Sequence, residues 1–380
     1  MFGGWGLVVA SGALIVLASS PSAQRQGLTG GAGLARAYEA VFDARFEELP
    51  TILAAICPPA PAEACQLMEV VGLWWEIQLD PHNTSRDERF KTAADAAIQA
   101  ADAWTMREPA RAEAWFYLGG AYGARAQWRV LRGETLAAAR DGKRIKEALE
   151  RSIALDPMLQ DAYFGVGLYR YYAAVAPAAA RMLRWLLLLP GGNRTEGLAQ
   201  MLRARAGGQL LVSEADYQLA LIYLWYEKAP RRSLELLKGL AGRHPRNPHF
   251  LQVTAEIEDT ALDDPAASLR SWQALVDAAS ERRVARPAMA DARGRLGVAR
   301  ALDRMGNTIA AIPQLRAVIA ARPEAPYGAL AQAHLQLGIA LDRVGARSEA
   351  RDAYRAALAS LPPGDRTRIG ERARARLRAR

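Results

Sequence analysis

The feature that most limits what this chain can fold into is a recurring order of small and large apolar residues. The clearest copy starts at Ala331. His334, Leu337, Gly338 and Leu341 hold its positions 4, 7, 8 and 11, and Ala350, Tyr354, Ala357 and Pro362 hold positions 20, 24, 27 and 32. A second copy starts at Glu214 in the same register: Tyr217, Ala220, Leu221 and Leu224, then Ser233, Leu237, Leu240 and Pro245. Spacings of three and four place residues on one helix face. Each copy therefore predicts two helices joined by a turn, with small residues where the backbones meet and large ones in the gaps. One such hairpin cannot bury both faces alone, so the copies must stack. The 380 residues then form one elongated array rather than two or three separate globular domains.

Further copies extend the pattern. Trp115, Leu118, Gly119 and Tyr122 open one, and Tyr163, Val166 and Gly167 open the next. A degenerate unit starts near Pro248 with Ala267 as its small residue. Another starts near Met289 and carries Leu296, Gly297, Ala311, Leu315, Val318 and Pro323. These residues resemble the tetratricopeptide repeat (TPR), a pair of antiparallel helices; Trp115 to Tyr122 matches the first-helix signature at every position. The resemblance implies an all-α, right-handed α-solenoid of TPR-like hairpins, with partner contacts on its concave face. After Tyr122 the expected spacing is exceeded by 14 residues, which predicts two lengthened helices with Gly133 at the hairpin tip. The block 114–260 is also similar to the tetratricopeptide-repeat-39 family. It shares an apolar helix ending in Leu189-Pro190, a Gly191-Gly192 turn, Glu196-Gly197-Leu198, and a tyrosine-rich helix with Trp225-Tyr226. That likeness implies architecture alone.

Local signals agree with helices. Ala, Leu, Arg and Glu dominate, and no stretch alternates with period two. Ser85-Arg86-Asp87-Glu88 reads as a capping box, and Ser213 with Asp216 as a weaker one. Asp264-Pro265 places a capping residue before a first-turn proline, and Pro230 and Pro326 read as first-turn prolines too. The central apolar insert, Pro177 to Pro190, has the length of a buried or interfacial helix rather than a membrane span. A second helix is expected over 195–206. Residues 28–110 read as three helices that cap the array, and 366–380 as a basic terminal helix.

The first 23 residues lack charge and hold an apolar run from Leu7 to Ala18 with small residues after it. This fits a secretory signal peptide over 1–23, hence a periplasmic or otherwise exported protein, membrane-anchored if uncleaved. In an oxidising compartment Cys57 and Cys65 can form a disulfide across a proline-rich loop. The expected units are the signal, 1–23; an N-terminal helical region, 24–110; a central aromatic block, 111–262; C-terminal repeats, 263–363; and a capping helix, 364–380.

Chemistry is sparse. Two Cys and four His leave little for a metal site, and Pro245 and Pro248 keep His244 and His249 off one regular helix face. No nucleophile elbow, zinc-helix motif or phosphate loop is present, so neither an enzyme nor a cofactor is expected. The +9 net charge is largely a tail property, because residues 365–380 carry seven Arg against two acids. Nucleic-acid binding is therefore not expected; membrane-surface contact is open to segments 177–190 and 366–380, for which burial against the array and a solvated capping helix are the favoured readings. Of 28 aromatic residues, 15 lie between Trp115 and Tyr226. Phe116, Phe164, Tyr171, Tyr172, Trp225 and Tyr226 fall where such arrays face their concave groove. With Arg125, Trp128 and Arg129 they are the expected contacts of a protein or peptide partner, the other reading being that the longer helices simply need these rings as a thicker core. The alternative is an apolar small molecule or lipid, carried or sensed in that aromatic patch.

Overall fold

The computed structural model describes residues 27–176 and 191–378. The signal segment 1–23 and the insert 177–190 lie outside these residues. The N-terminal helices are α1 (Gly31–Phe42), α2 (Leu49–Ile56), α3 (Ala62–Leu79) and α4 (Asp87–Arg107). Six antiparallel pairs follow. They are α5 (Ala112–Leu131) with α6 (Thr135–Leu155), α7 (Ala162–Val175) with α8 (Arg194–Gly207), and α9 (Val212–Trp225) with α10 (Pro230–Arg243). Then come α11 (Pro248–Thr260) with α12 (Pro265–Ser280), α13 (Pro287–Arg304) with α14 (Thr308–Ala321), and α15 (Ala329–Arg343) with α16 (Arg347–Ala359). Helix α17 (Ile369–Arg378) ends the stack. Each helix packs chiefly on its sequence neighbours, the signature of a helical-repeat solenoid. Among the described residues there is no strand, and no helix is long and apolar enough to cross a membrane.

The repeat positions do the packing that their spacing predicts. A Cβ on Gly338 would lie 2.5 Å from the ring of Tyr354, and one on Gly119 would lie 2.6 Å from Leu149. Glycine at position 8 therefore lets the first helix touch the large residue at position 24 of the second. Tyr354 and Leu237 are fully buried, as position 24 requires. The long hairpin α5–α6 turns at Gly133, and α8 covers the stretch expected to be helical.

Caps follow the sequence in part. Asp264 caps α12 through the N–H of Ala267 at 2.8 Å, and Pro230 opens α10. The box at Ser85 does not form; Asn83 accepts the Ser85 N–H at 2.9 Å and closes the turn itself. Ser213 lies inside the first turn of α9, where its hydroxyl meets His244, and Asp216 pairs with Arg205 and Arg243 instead. Pro326 precedes α15 by a turn rather than opening it.

The largest departure concerns the N-terminal helices. They do not simply cap one end of the stack. Helix α3 packs on α4 and α5, yet Trp75 meets Tyr217, His249 and Phe250 on α9 and α11. Further along, Glu76 pairs with Arg286 at 3.2 Å just before α13. Asp80 accepts the N–H of Tyr327, just before α15, with both oxygens at 3.0 Å. From α5 to α15 is five repeat steps, about 40–50 Å in a straight stack at 8–10 Å per helix contact. The 18 residues of α3 span only about 27 Å. The stack therefore bends around α3. The reason is aromatic: Phe42 and Trp75 are fully buried, 4.5 Å apart, against Phe250 and Tyr217. A continuous apolar core accordingly runs from Leu28 to Met289, across the changes of composition at 110 and 262.

Cys57 and Cys65 are joined as a disulfide, with Cα atoms 6.7 Å apart, between α2 and α3.

Candidate functional site

Most of the aromatic residues expected on a groove are packed inside. Phe116, Trp128, Phe164 and Tyr171 are buried. Phe116 sits edge-on to Tyr117, Trp128 stacks on Phe90 at 5.9 Å, and Phe164 and Tyr171 belong to a core shared by α7, α8 and α9. The lengthened α5–α6 hairpin and its neighbours need a thicker core, and these rings supply it. Arg125 and Arg129 are anchored rather than free. Both ion-pair with the buried carboxylate of Asp141 at 2.7 Å, and Arg125 also reaches Asp95 and lies over Tyr122. Three of the expected residues remain at the surface. Trp225 is 62% exposed and Tyr226 44%, and half-buried Tyr172 meets Tyr226 edge-on at 5.5 Å.

A different region offers a cleft. It encloses about 530 Å³ and is open to solvent. Its walls are the first helices α11, α13 and α15, its near rim is His82 before α4 with Tyr327 before α15, and its far rim is α17. The first helices place their residues on one face by helical spacing: Arg293, Arg300 and Asp303 on α13, and Gln332, Gln336, Ile339 and Arg343 on α15. Helix α17 buries Ile369 and Ala373 on the stack and leaves Arg372 and Arg376 exposed at the cleft. The floor is Trp272, Leu296, Gly297 and Leu315.

The cleft is electropositive. Five arginines line it (Arg293, Arg300, Arg343, Arg372 and Arg376) against the carboxylates of Glu256 and Asp303. Arg343 pairs with Asp303, and Arg300 reaches Asp259 at 3.5 Å while lying over Trp272. Arg293 donates to Gln252 at 2.7 Å; burial lowers its proton affinity, and Asp80 and Glu256 partly offset this. Arg293, Arg372 and Arg376 form no ion pair among the described residues. The Oε1 of Gln336 and the Nε1 of Trp272 lack hydrogen-bond partners there.

Sequence reasoning passed over this cleft because it followed aromatic density. The signal was nevertheless present: Gln332, Ile339 and Arg343 hold positions 2, 9 and 13 of the unit that begins at Ala331, the face that repeats of this kind turn inward. His82 and Tyr327 had no such signal, since 245 residues separate them in sequence.

Two further groups lie where α1 and α3 meet the stack. Ser213 Oγ and His244 Nε2 are 3.0 Å apart with Glu39 alongside, and Tyr217 bonds to His249 at 2.9 Å. Burial lowers the proton affinity of both imidazoles, His244 to about 4 and His249 to about 3. Ser213 and His244 are nearly inaccessible, and the cleft does not reach them. They act as polar bolts between helices. No group of His, Cys, Asp and Glu able to hold a metal occurs among the described residues.

No protein-family model matches the sequence, and no curated protein matches it. Solved structures similar in shape include the APC/C hetero-tetramer Cut9–Hcn1, at 13% identity and TM-score 0.49, covering 90% of this chain and 55% of that one. Yeast Tom70 gives 14% identity and TM-score 0.42 over 83% of this chain and 64% of that one. NprR in complex with its cognate peptide NprX gives 10% and 0.39 over 91% and 80%. This chain spans little more than half the length of the Cut9–Hcn1 chain it matches. These neighbours are TPR-repeat structures. The stacked hairpins, with Gly338 on Tyr354 and Gly119 on Leu149, make this chain a helical-repeat solenoid in its own geometry.

Proposed function

We propose that this chain is an exported scaffold that binds a protein or peptide partner in the cell envelope through its inner face. The observation that carries this reading is the cleft between α11, α13, α15 and α17: about 530 Å³, open to solvent, and lined by arginine and glutamine side chains. A groove of that form suits an extended segment, whereas a small apolar ligand calls for an enclosed apolar cavity. The arginine and amide side chains that line it suit the binding of a chain segment. The disulfide between Cys57 and Cys65 fits the oxidising compartment that export would supply.

The test is site-directed photo-cross-linking in the native host, with the probe at Gln336 and, separately, at Trp225. Partner capture from Gln336 supports the reading. Capture from Trp225 alone would move the interface to the Tyr172–Trp225–Tyr226 patch and abandon the cleft. Fractionation with mass analysis of the N-terminus tests export; an intact signal segment on cytoplasmic protein would remove the envelope location.

A further inference from the structure

The inner face is charged in a consistent sense, and part of it is already occupied. The N-terminal helices lay acids along it: Glu76 on Arg286, and Asp80 on the N–H of Tyr327, close enough to Arg293 to favour its charged form. This line of acid against arginine stops at Asp80, where the open cleft begins. Beyond it five arginines face the two lining carboxylates Glu256 and Asp303: Arg300 and Arg343 are paired with Asp259 and Asp303, whereas Arg293, Arg372 and Arg376 form no ion pair among the described residues.

Resting on the scaffold reading, we propose that the cleft receives an acidic, extended peptide segment of a partner protein, which continues the row begun by Glu76 and Asp80. Two features select a peptide over another polyanion. Gln332 and Gln336 stand one helical turn apart on α15 in the cleft lining, and the buried Oε1 of Gln336 has no hydrogen-bond partner among the described residues. A primary amide supplies both donor and acceptor, as the backbone of an extended chain requires. The basic residues also sit on the walls and rim of a recess, with Arg293 half-buried, whereas a flat anionic surface would meet only the exposed rim. In an extended peptide, alternate side chains repeat on one side every ~6.8 Å, so alternating Glu residues can meet successive arginines while the residues between rest on Leu296, Leu315 and Ile339.

The test uses the full chain and a fluorescein-labelled peptide of alternating Glu and Leu, with a Gln-for-Glu peptide as control. Anisotropy titration should show binding of the Glu peptide, at least tenfold weaker binding of the Gln peptide, and weakening between low and high salt. Arg372→Glu with Arg376→Glu, both exposed and free of ion pairs among the described residues, should weaken Glu-peptide binding at least tenfold without changing the melting temperature. Equal binding of the two peptides, or unchanged affinity in the double variant, would overturn the proposal. So would co-sedimentation with phosphatidylglycerol vesicles in the absence of peptide binding, which would assign the arginines to a membrane surface. The scaffold reading fails separately: if Gln336 captures a native partner and the Glu peptide does not bind, only the acidic chemistry is lost.

Discussion

The inner face has two regions built from opposite materials. Where α1 and α3 press on α9, α10 and α11, the contact is aromatic and dry. Phe42, Trp75, Tyr217 and Phe250 meet there, Ser213 pairs with His244, and Tyr217 pairs with His249. Where α13, α15 and α17 face one another, rings give way to arginines and amides, and the space stays open. The same repeat positions thus perform two tasks. Packed against the chain's own N-terminal helices they hold the curve; left unpacked they form a recess. A solenoid can use one end of its face as structure and the other for recognition because each repeat answers mainly to its neighbours.

The comparison can be broken most severely at Trp75. Trp75→Ala removes the largest fully buried side chain between α3 and the stack, so stability should fall by about 3–5 kcal/mol in urea unfolding. The Glu peptide should still bind the folded fraction if the cleft stands independently. A smaller loss is expected at Asp161, a buried carboxylate that accepts the N–H groups of Gln209, Leu210 and Leu211 at 2.8–3.0 Å. Asp161→Ala leaves those donors unpaired and should cost about 1–3 kcal/mol by the same measurement.

Acid should loosen the closed region before the open one. His244 and His249 stay neutral in the fold, with pKa values lowered to about 4 and about 3, because burial penalises the imidazolium. The unfolded chain takes up these protons near pH 6.5. Stability should therefore fall as pH drops from about 6.5 toward 4. Buried Glu214 acts in the opposite sense: burial raises its carboxyl, so its contribution is lost as pH rises through the folded value. His249→Gln should flatten the acid limb of a melting-temperature profile; an unchanged limb would exclude His249 as its source. The smallest effect is expected at the exposed patch, where Trp225→Ala should shift stability by under about 0.5 kcal/mol.

Much of the fold was legible as spacing. The glycines at position 8, the large residues at position 24, the Gly133 tip and the Asp264 cap all act locally, within a hairpin, and sequence separation of a few residues carries them. Part of the aromatic cluster went into the core for a physical reason. A helix face turned inward in one repeat can be covered by another part of the chain, or thickened into core by a longer neighbour, and periodicity alone cannot distinguish those fates. Phe116, Trp128, Phe164 and Tyr171 met them. Arg125 and Arg129 were taken by Asp141, a carboxylate whose position on α6 follows from the length of the hairpin.

By itself, the sequence determined the all-helical content, the stacking of hairpins and the concentration of basic charge at the C-terminal end. Each of these depends on residues a turn or a hairpin apart. Only the tertiary structure decided which part of the inner face is filled. That choice rests on contacts such as Phe42 with Phe250 and Asp80 with Tyr327, more than two hundred residues apart. Burial of two large rings bends the stack around α3, and the recess beyond Asp80 remains open because α3 ends there.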